Sequence, residues 1–140
     1  MVLDRFRAVE IKKIIEDGSI NNIVTYAQKS YPNECCGFIL DSGAIFPAQN
    51  IIETLQDRSL TSKTAFLIDS ESWRRASEKR IIAIYHSHTN GDANMSEIDK
   101  YTLRWPGLSY VIIGLVDTNP TSAKLFWWED GDLRELDIKL

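Results

Sequence analysis

Histidine is scarce in this sequence of 140 residues: His86 and His88 are the only two. Cysteine is equally scarce, and Cys35 and Cys36 stand side by side. A bond between neighbouring cysteines is strained, and two residues make no disulfide framework, so reduced thiols in a reducing compartment are expected. Long apolar runs are absent. No uncharged stretch approaches the roughly 18–20 residues that cross a bilayer, which predicts no membrane span. The N-terminal segment MVLDRFRAVEIKKIIEDG carries charge throughout and lacks the apolar core of a signal peptide, so a cytoplasmic protein is expected. Basic residues number 16 against 20 acidic ones, a net charge of −4 with no basic stripe, which argues against a nucleic-acid partner. There is no repeat, low-complexity tract or Pro/Gly/Ser-rich linker. Residues 1–140 are therefore read as one domain, long enough to bury a substantial core.

What is present begins with the two histidines. They close the apolar run Ile81-Ile82-Ala83-Ile84-Tyr85, which is β-branched and reads as a buried strand. Side chains two apart on a strand share a face, so both imidazoles can close on one metal ion. Eleven residues past His88 lies Asp99, in Ser96-Glu97-Ile98-Asp99. Two histidines and a carboxylate make a three-ligand site with a fourth position left for water, the pattern of a catalytic zinc. A hydrolytic centre also needs a proton acceptor, and with both histidines committed Glu34 is the candidate, placed where a helix ends and a strand begins. Ser96 is the candidate donor to an oxyanion. As an N-cap its oxygen accepts a backbone N–H while its own O–H stays free. Taken singly, these features have plainer readings. A His-x-His on a strand is more often structural, Ser-x-x-Asp is also what a helix capping pair requires, and Glu34 alone is an ordinary carboxylate.

The rest of the chain reads as alternating helices and strands. Residues 3–16 fit neither a helical nor a strand period cleanly, and Gly18 is expected to end that segment. Ile20, Ile23, Val24 and Ala27 follow helical spacing, with Ser19 as a cap and Tyr31-Pro32-Asn33 as the stop. Residues 36–40 and 44–48 read as a hairpin, 53–64 as a surface loop and 66–68 as a short strand. A helix capped by Asp69 or Ser70 is expected to run to about residue 79 and bury Trp73 and Ala76. Ser96 caps another to about residue 104, broken by Trp105-Pro106-Gly107. A strand over 110–116, a turn over 117–120 and a hairpin of 124–128 with 133–138 complete a mixed α/β arrangement around one sheet. Cys36 reads as a small core residue, and Cys35 as facing the metal cleft. Of Trp127 and Trp128, one faces inward and one outward, where it packs at the edge or meets a partner.

Together, Glu34, Cys36-Gly37-Phe38-Ile39-Leu40, His86-Ser87-His88 and Ser96-x-x-Asp99 resemble the JAMM motif of the MPN-plus metalloproteases, in order and in spacing. The resemblance covers about residues 20–138. It extends to the Tyr-Pro-x-Glu-x-Cys-Gly segment, Asn50 after the hairpin, and Phe66-x-x-Asp69 leading into a helix. It implies a single-domain α/β fold with a mixed sheet flanked by helices, like the JAB/MPN, cytidine-deaminase-like sandwich. It also implies one zinc ion with a bound water on His86, His88 and Asp99, with Glu34 as general base and Ser96 steadying the oxyanion. The implied activity is hydrolysis of a peptide or isopeptide bond at the C-terminal tail of a ubiquitin-like or sulfur-carrier protein. Two other settings belong to the same resemblance: a phage-type tail-assembly peptidase, and a non-catalytic or partner-dependent scaffold. Thr89 stands where many members have proline, a departure that bears on loop shape rather than on metal binding.

Overall fold

The computed structural model describes residues 3–140. Two helices open the fold, α1 (Arg5–Ile14) and α2 (Ile20–Ser30), joined by a single π-helical turn, Ile15–Ser19. Asp4 caps α1 by accepting the Arg7 N–H at 2.9 Å. The buried positions Ala8, Ile11, Ile15, Ile20, Ile23 and Ala27 explain the turn. All steps between them are three or four residues except the five from Ile15 to Ile20. A helical turn with i→i+5 bonding takes up the extra residue and returns Ile20 to the inward face. This corrects two expectations. Gly18 does not end the segment, and Ser19 caps nothing: its backbone is helical and its hydroxyl makes no cap bond.

The sheet has six strands: β1 (Cys36–Leu40), β2 (Ile45–Ala48), β3 (Ile81–His88), β4 (Ser109–Val116), β5 (Asn119–Glu129) and β6 (Asp132–Asp137). Their order is β2-β1-β3-β4-β5-β6. Only β3 and β4 run parallel, with Ile84 opposite Tyr110 and His88 opposite Gly114. Both are buried except at one end, Ile81 and Val116, as the near-continuous apolar sequences of central strands require. The α1–α2 unit packs on one face, where Ile11, Ile15, Ile23, Tyr85, Val111, Ile113, Leu125 and Trp127 form one cluster. The other face carries Phe38, Ile84, Tyr110, Ile112 and Phe126. Its cover is thinner: α3 (Ser70–Ala76), α4 (Glu97–Thr102) and loops. The mixed α/β class read from the sequence is the one observed.

Four local readings change. Residues 66–68 form no strand, only a single bridge between Asn50 and Ile68. The polar 53–64 stretch is entered by a short 3-10 turn, Ile52–Leu55. β5 begins at Asn119, so the turn before it is confined to Asp117 and Thr118. The third and fourth helices end at Ala76 and Thr102, earlier than their periodicity suggested. Among the described residues, no helix is long and apolar enough to cross a membrane.

Candidate metal centre

His86 and His88 lie at the C-terminal end of β3 on the face covered by α4, and both are buried. Their Nε2 atoms are 3.1 Å apart. Asp99, in the first turn of α4, brings Oδ2 to 3.1 Å from His86 Nε2 and 3.0 Å from His88 Nε2. Three ligand atoms therefore form a nearly equilateral triangle. Tetrahedral zinc with bonds of about 2.0–2.1 Å needs ligand atoms about 3.3 Å apart, so this donor set fits one small divalent cation with little movement.

Glu34 stands beside the triangle. Its carboxylate and the two imidazoles offer ligand atoms within 4.8 Å of one another. It is 4% exposed, and its Oε1 has no hydrogen-bond partner. An orphaned buried carboxylate oxygen facing a cluster of imidazoles is what a proton acceptor beside a cation site looks like before its partner arrives. The two carboxylates diverge electrostatically. Burial dominates at Glu34 and pushes its acid up to about 8, against the opposing pull of His88. Burial works against Asp99 too, but the His86 and His88 imidazoles and the Ser96 N–H outweigh it and hold its carboxyl well below the usual range. Burial likewise keeps the His86 imidazole below its ordinary value. At His88 burial is outweighed by Asp99, Glu34 and the Asp92 carbonyl, so its imidazole is held above it.

Each group is placed by identifiable local chemistry. Asp99 is the N3 residue of a capping box. The Asp99 N–H donates to Ser96 Oγ at 3.0 Å, and the Ser96 N–H donates to Asp99 Oδ2 at 3.1 Å. The ligand oxygen is thus also the capping oxygen, and the Ser96 O–H stays free to donate. The plain capping reading and the functional reading of Ser-x-x-Asp describe one arrangement. Glu34 is set by its backbone: its N–H donates to the Ser62 carbonyl at 2.6 Å, and its carbonyl accepts from Asn50 Nδ2 at 3.1 Å. Asn50 Nδ2 also reaches the Ala65 carbonyl at 3.0 Å, while its Oδ1 accepts from the Ile52 and Leu67 N–H groups at 3.1 and 3.0 Å. One amide thereby joins three irregular segments around Glu34. His86 is stacked on Phe66, ring centroids 4.3 Å apart and 28° from parallel. His88 donates its Nδ1–H to the Asp92 carbonyl at 2.8 Å. Ser87, between the histidines, faces the other way and accepts the Cys35 N–H at 2.8 Å, locking the start of β1 to β3.

Glu34, His88 and Ser96 line one small cavity of about 120 Å³ with Lys63, Thr64, Thr89 and Asn90. Thr89 donates its hydroxyl to the Lys63 carbonyl at 2.9 Å, closing the rim. All five residues singled out in the sequence thus meet in one place. Sequence reasoning gave Asn50 and Phe66 no role, and it missed the Asp92 carbonyl. The signal for Asn50 and Phe66 was their place in the motif resemblance; a main-chain carbonyl carries none.

One sequence reading is corrected, that Cys35 faces the metal cleft. Cys35 packs into the cluster under α1–α2, while Cys36 joins the cluster on the metal face. Burial pushes both thiols up, Cys35 to about 11, so neither is a ready nucleophile. Trp128 is half-buried and packs at the sheet edge, the first of the two alternatives given for the outward tryptophan. Its Nε1–H donates to the Leu103 carbonyl at 2.8 Å, and the Arg104 guanidinium covers its ring at 3.9 Å.

The family of prokaryotic homologues of the JAB domain matches residues 17–129. The CysO-cysteine peptidase of Mycobacterium tuberculosis is 27% identical over 129 residues, covering 87% of this chain and 86% of that protein. Tail tip assembly protein K of Escherichia phage N15 is 26% identical over 122 residues, which is 84% of this chain but 42% of that protein. In fold, the solution structure of protein DSY2949 from Desulfitobacterium hafniense matches with a TM-score of 0.65 at 24% identity, covering 86% of each chain.

Proposed function

This chain belongs to the family of prokaryotic homologues of the JAB domain, and on that premise we propose that it is a zinc-dependent peptidase acting at the C-terminal tail of a ubiquitin-like or sulfur-carrier protein. The observation that carries the reading is the triangle of His86 Nε2, His88 Nε2 and Asp99 Oδ2, with the unpartnered carboxylate of Glu34 beside it. His86, His88 and Asp99 would hold the ion. Zinc in such a site supplies a Lewis acid and brings the acidity of water to near neutrality. Glu34 takes the proton of the attacking water as its oxygen bonds to the scissile carbonyl carbon. It then delivers that proton to the leaving nitrogen as the C–N bond breaks. The Ser96 O–H, uncommitted by its capping role, donates to the carbonyl oxygen as charge develops there.

The choice of substrate is supported by the peptidase relative, whose length this chain nearly spans. A narrow cavity at the centre also suits an extended tail better than a folded surface. In this reading residues 1–140 act as one domain in the cytoplasm, without nucleic acid or membrane. A phage tail-assembly peptidase is the second reading, favoured only by the match to part of protein K. The test is a carrier-protein fusion bearing residues beyond its Gly-rich tail, incubated with zinc-loaded protein and followed by mass spectrometry. Release at the tail junction, abolished by chelator and by Glu34→Gln with zinc retained, supports the proposal. Cleavage by Glu34→Gln at the wild-type rate sinks Glu34 as the base. One equivalent of zinc with no turnover on any carrier fusion favours a partner-dependent or scaffold role.

A further inference from the structure

His86 and His88 are held in different ways. His86 is enclosed by packing, fully buried and stacked on Phe66. His88 is aligned by one hydrogen bond to a main-chain carbonyl, that of Asp92, in a segment without regular structure. Such a bond aligns a ring only as well as the loop itself is held.

What holds the loop lies on β4 and β5. His88 pairs with Gly114, and Gly114 pairs with Ser122, so the three form one row across three strands. Gly91 folds back over that row. A Cβ on Gly114 would lie 2.7 Å from the Gly91 carbonyl oxygen and 2.9 Å from Ser122 Oγ, so the loop can rest there only because residue 114 has no side chain. The Thr121 hydroxyl donates to the Gly91 carbonyl at 2.9 Å, and the Ser122 hydroxyl donates to the same oxygen at 3.2 Å. Gly91 has a φ of +82°, and a Cβ there would meet Val116 at 2.7 Å. Between the anchor and His88 the loop is braced internally, the Asp92 N–H donating to Asn90 Oδ1 at 3.0 Å. A second pin lies at Asn94, whose Oδ1 accepts from Lys124 Nζ at 2.8 Å.

We propose that Gly114, Thr121 and Ser122 are positioning residues for His88. They fix the Gly91 carbonyl, which places the Asp92 carbonyl, which takes the Nδ1–H and aims Nε2 into the triangle with His86 and Asp99. None of the three lines the cavity shared by Glu34, His88 and Ser96. The proposal rests on His88 being a metal ligand. His88 gives its second ring nitrogen a partner, whereas His86 Nδ1 has none, and losing such a partner weakens metal binding by about 10–100-fold.

The test uses the whole protein and two readouts that need no turnover: zinc affinity by chelator competition, and the His88 Nδ1–H resonance in metal-free protein at one fixed pH. Thr121→Val with Ser122→Ala removes both donors at nearly constant volume, and Gly114→Ala pushes Gly91 off the row. The expected result is zinc affinity about 10–100-fold weaker and loss of the His88 Nδ1–H resonance, with the His86 ring resonances unmoved. The exchanged pair Thr121→Ser with Ser122→Thr keeps both hydroxyls and should restore both readouts. If Gly114→Ala fails to fold, the Thr121/Ser122 double variant decides. Wild-type affinity and an undisturbed Nδ1–H resonance in that double variant would overturn the proposal. Failure of the wild type to bind zinc would instead overturn the ligand reading of His88, and the resonance would still decide whether the anchor positions the ring.

Discussion

Along β3, successive side chains enter two different environments. Tyr85 and Ser87 face the α1–α2 unit, where the neighbours are aliphatic or aromatic and the serine is satisfied by the Cys35 N–H. Ile84, His86 and His88 face α3, α4 and the loops, where the apolar cluster gives way at the strand end to two carboxylates and two imidazoles. The first face is covered by 26 helical residues running from Arg5 to Ser30 without interruption. The second is covered by helices of seven and six residues and by irregular chain. A continuous helical cover packs mainly apolar side chains; a cover of short pieces leaves room for polar groups, several of them anchored to backbone. One face therefore carries stability and the other carries chemistry.

That division is broken most directly by exchanging the effects. His88→Ala should abolish zinc binding and turnover together, and it should cost metal-free stability as well. It empties a buried site and takes away one of the two imidazoles that hold the Asp99 carboxylate, leaving Asp99 its bonds to His86 and the Ser96 N–H. Zinc content by elemental analysis, with urea unfolding of the metal-free protein, checks both halves. Full zinc occupancy in the variant would show the ligand set to be wrong. Trp127→Ala, on the opposite face, should cost about 3–5 kcal/mol of stability and leave zinc affinity per folded molecule unchanged. Trp127 is fully buried in the helix-side cluster and only its Nε1–H meets a polar group, Glu129 Oε1 at 3.0 Å. A large fall in zinc affinity would mean that the two faces are mechanically coupled.

How much of this division was legible beforehand differs between the faces. The metal face was legible in its side chains, because His-x-His at the end of an apolar strand and Ser-x-x-Asp at a helix start state their geometry through fixed periods. Its supports were not. Asn50 acts through four bonds to main-chain groups, Phe66 sits in an irregular stretch taken for a strand, and Asp92 contributes a carbonyl that any residue would offer. On the helix side, α2 was legible from its i, i+3, i+4 pattern, but α1 was blurred. Phe6 and Val9 are apolar yet exposed, and they hide the helical step of the inward positions Ala8, Ile11 and Ile15. The π turn misplaced the stop at Gly18, which fits within the helix there.

Ser96→Ala sharpens the comparison on the metal face, where structure and chemistry share one residue. If the hydroxyl donates to the oxyanion, kcat should fall by about 10²–10³ with KM little changed. If it is only a cap, the loss is confined to about 1 kcal/mol of stability. Steady-state kinetics beside thermal unfolding separates the outcomes.

Glu34 gives the metal face its pH signature. In the folded metal-free protein its acid is pushed up to about 8 from an ordinary value of 4.5. At this group the folded state therefore holds more protons than the unfolded chain between those limits, and the Glu34 contribution to stability falls as pH rises from about 4.5 to 8. Glu34→Gln removes that slope, so the variant should gain on the wild type steadily across the window and most at its upper end. Urea unfolding of metal-free protein at pH 5, 6.5 and 8 reads it directly. Parallel pH profiles would place Glu34 in a more polar setting than its buried, unpartnered oxygen indicates.

The smallest effect probes how the thin cover is fastened. Trp128 ties the end of α4 to β5 by donating to the Leu103 carbonyl, and the Arg104 guanidinium lies over its ring at 3.9 Å. The arginine is exposed, so Arg104→Ala should cost only about 0.5–1 kcal/mol, and zinc affinity should hold because the capping box at the other end of α4 is untouched. A loss of zinc affinity in Arg104→Ala would show that the short helix moves as one piece. Asp99 would then depend on the fastening of its far end as well as on Ser96, and the chemistry of this face would draw on packing as much as the stability of the other does.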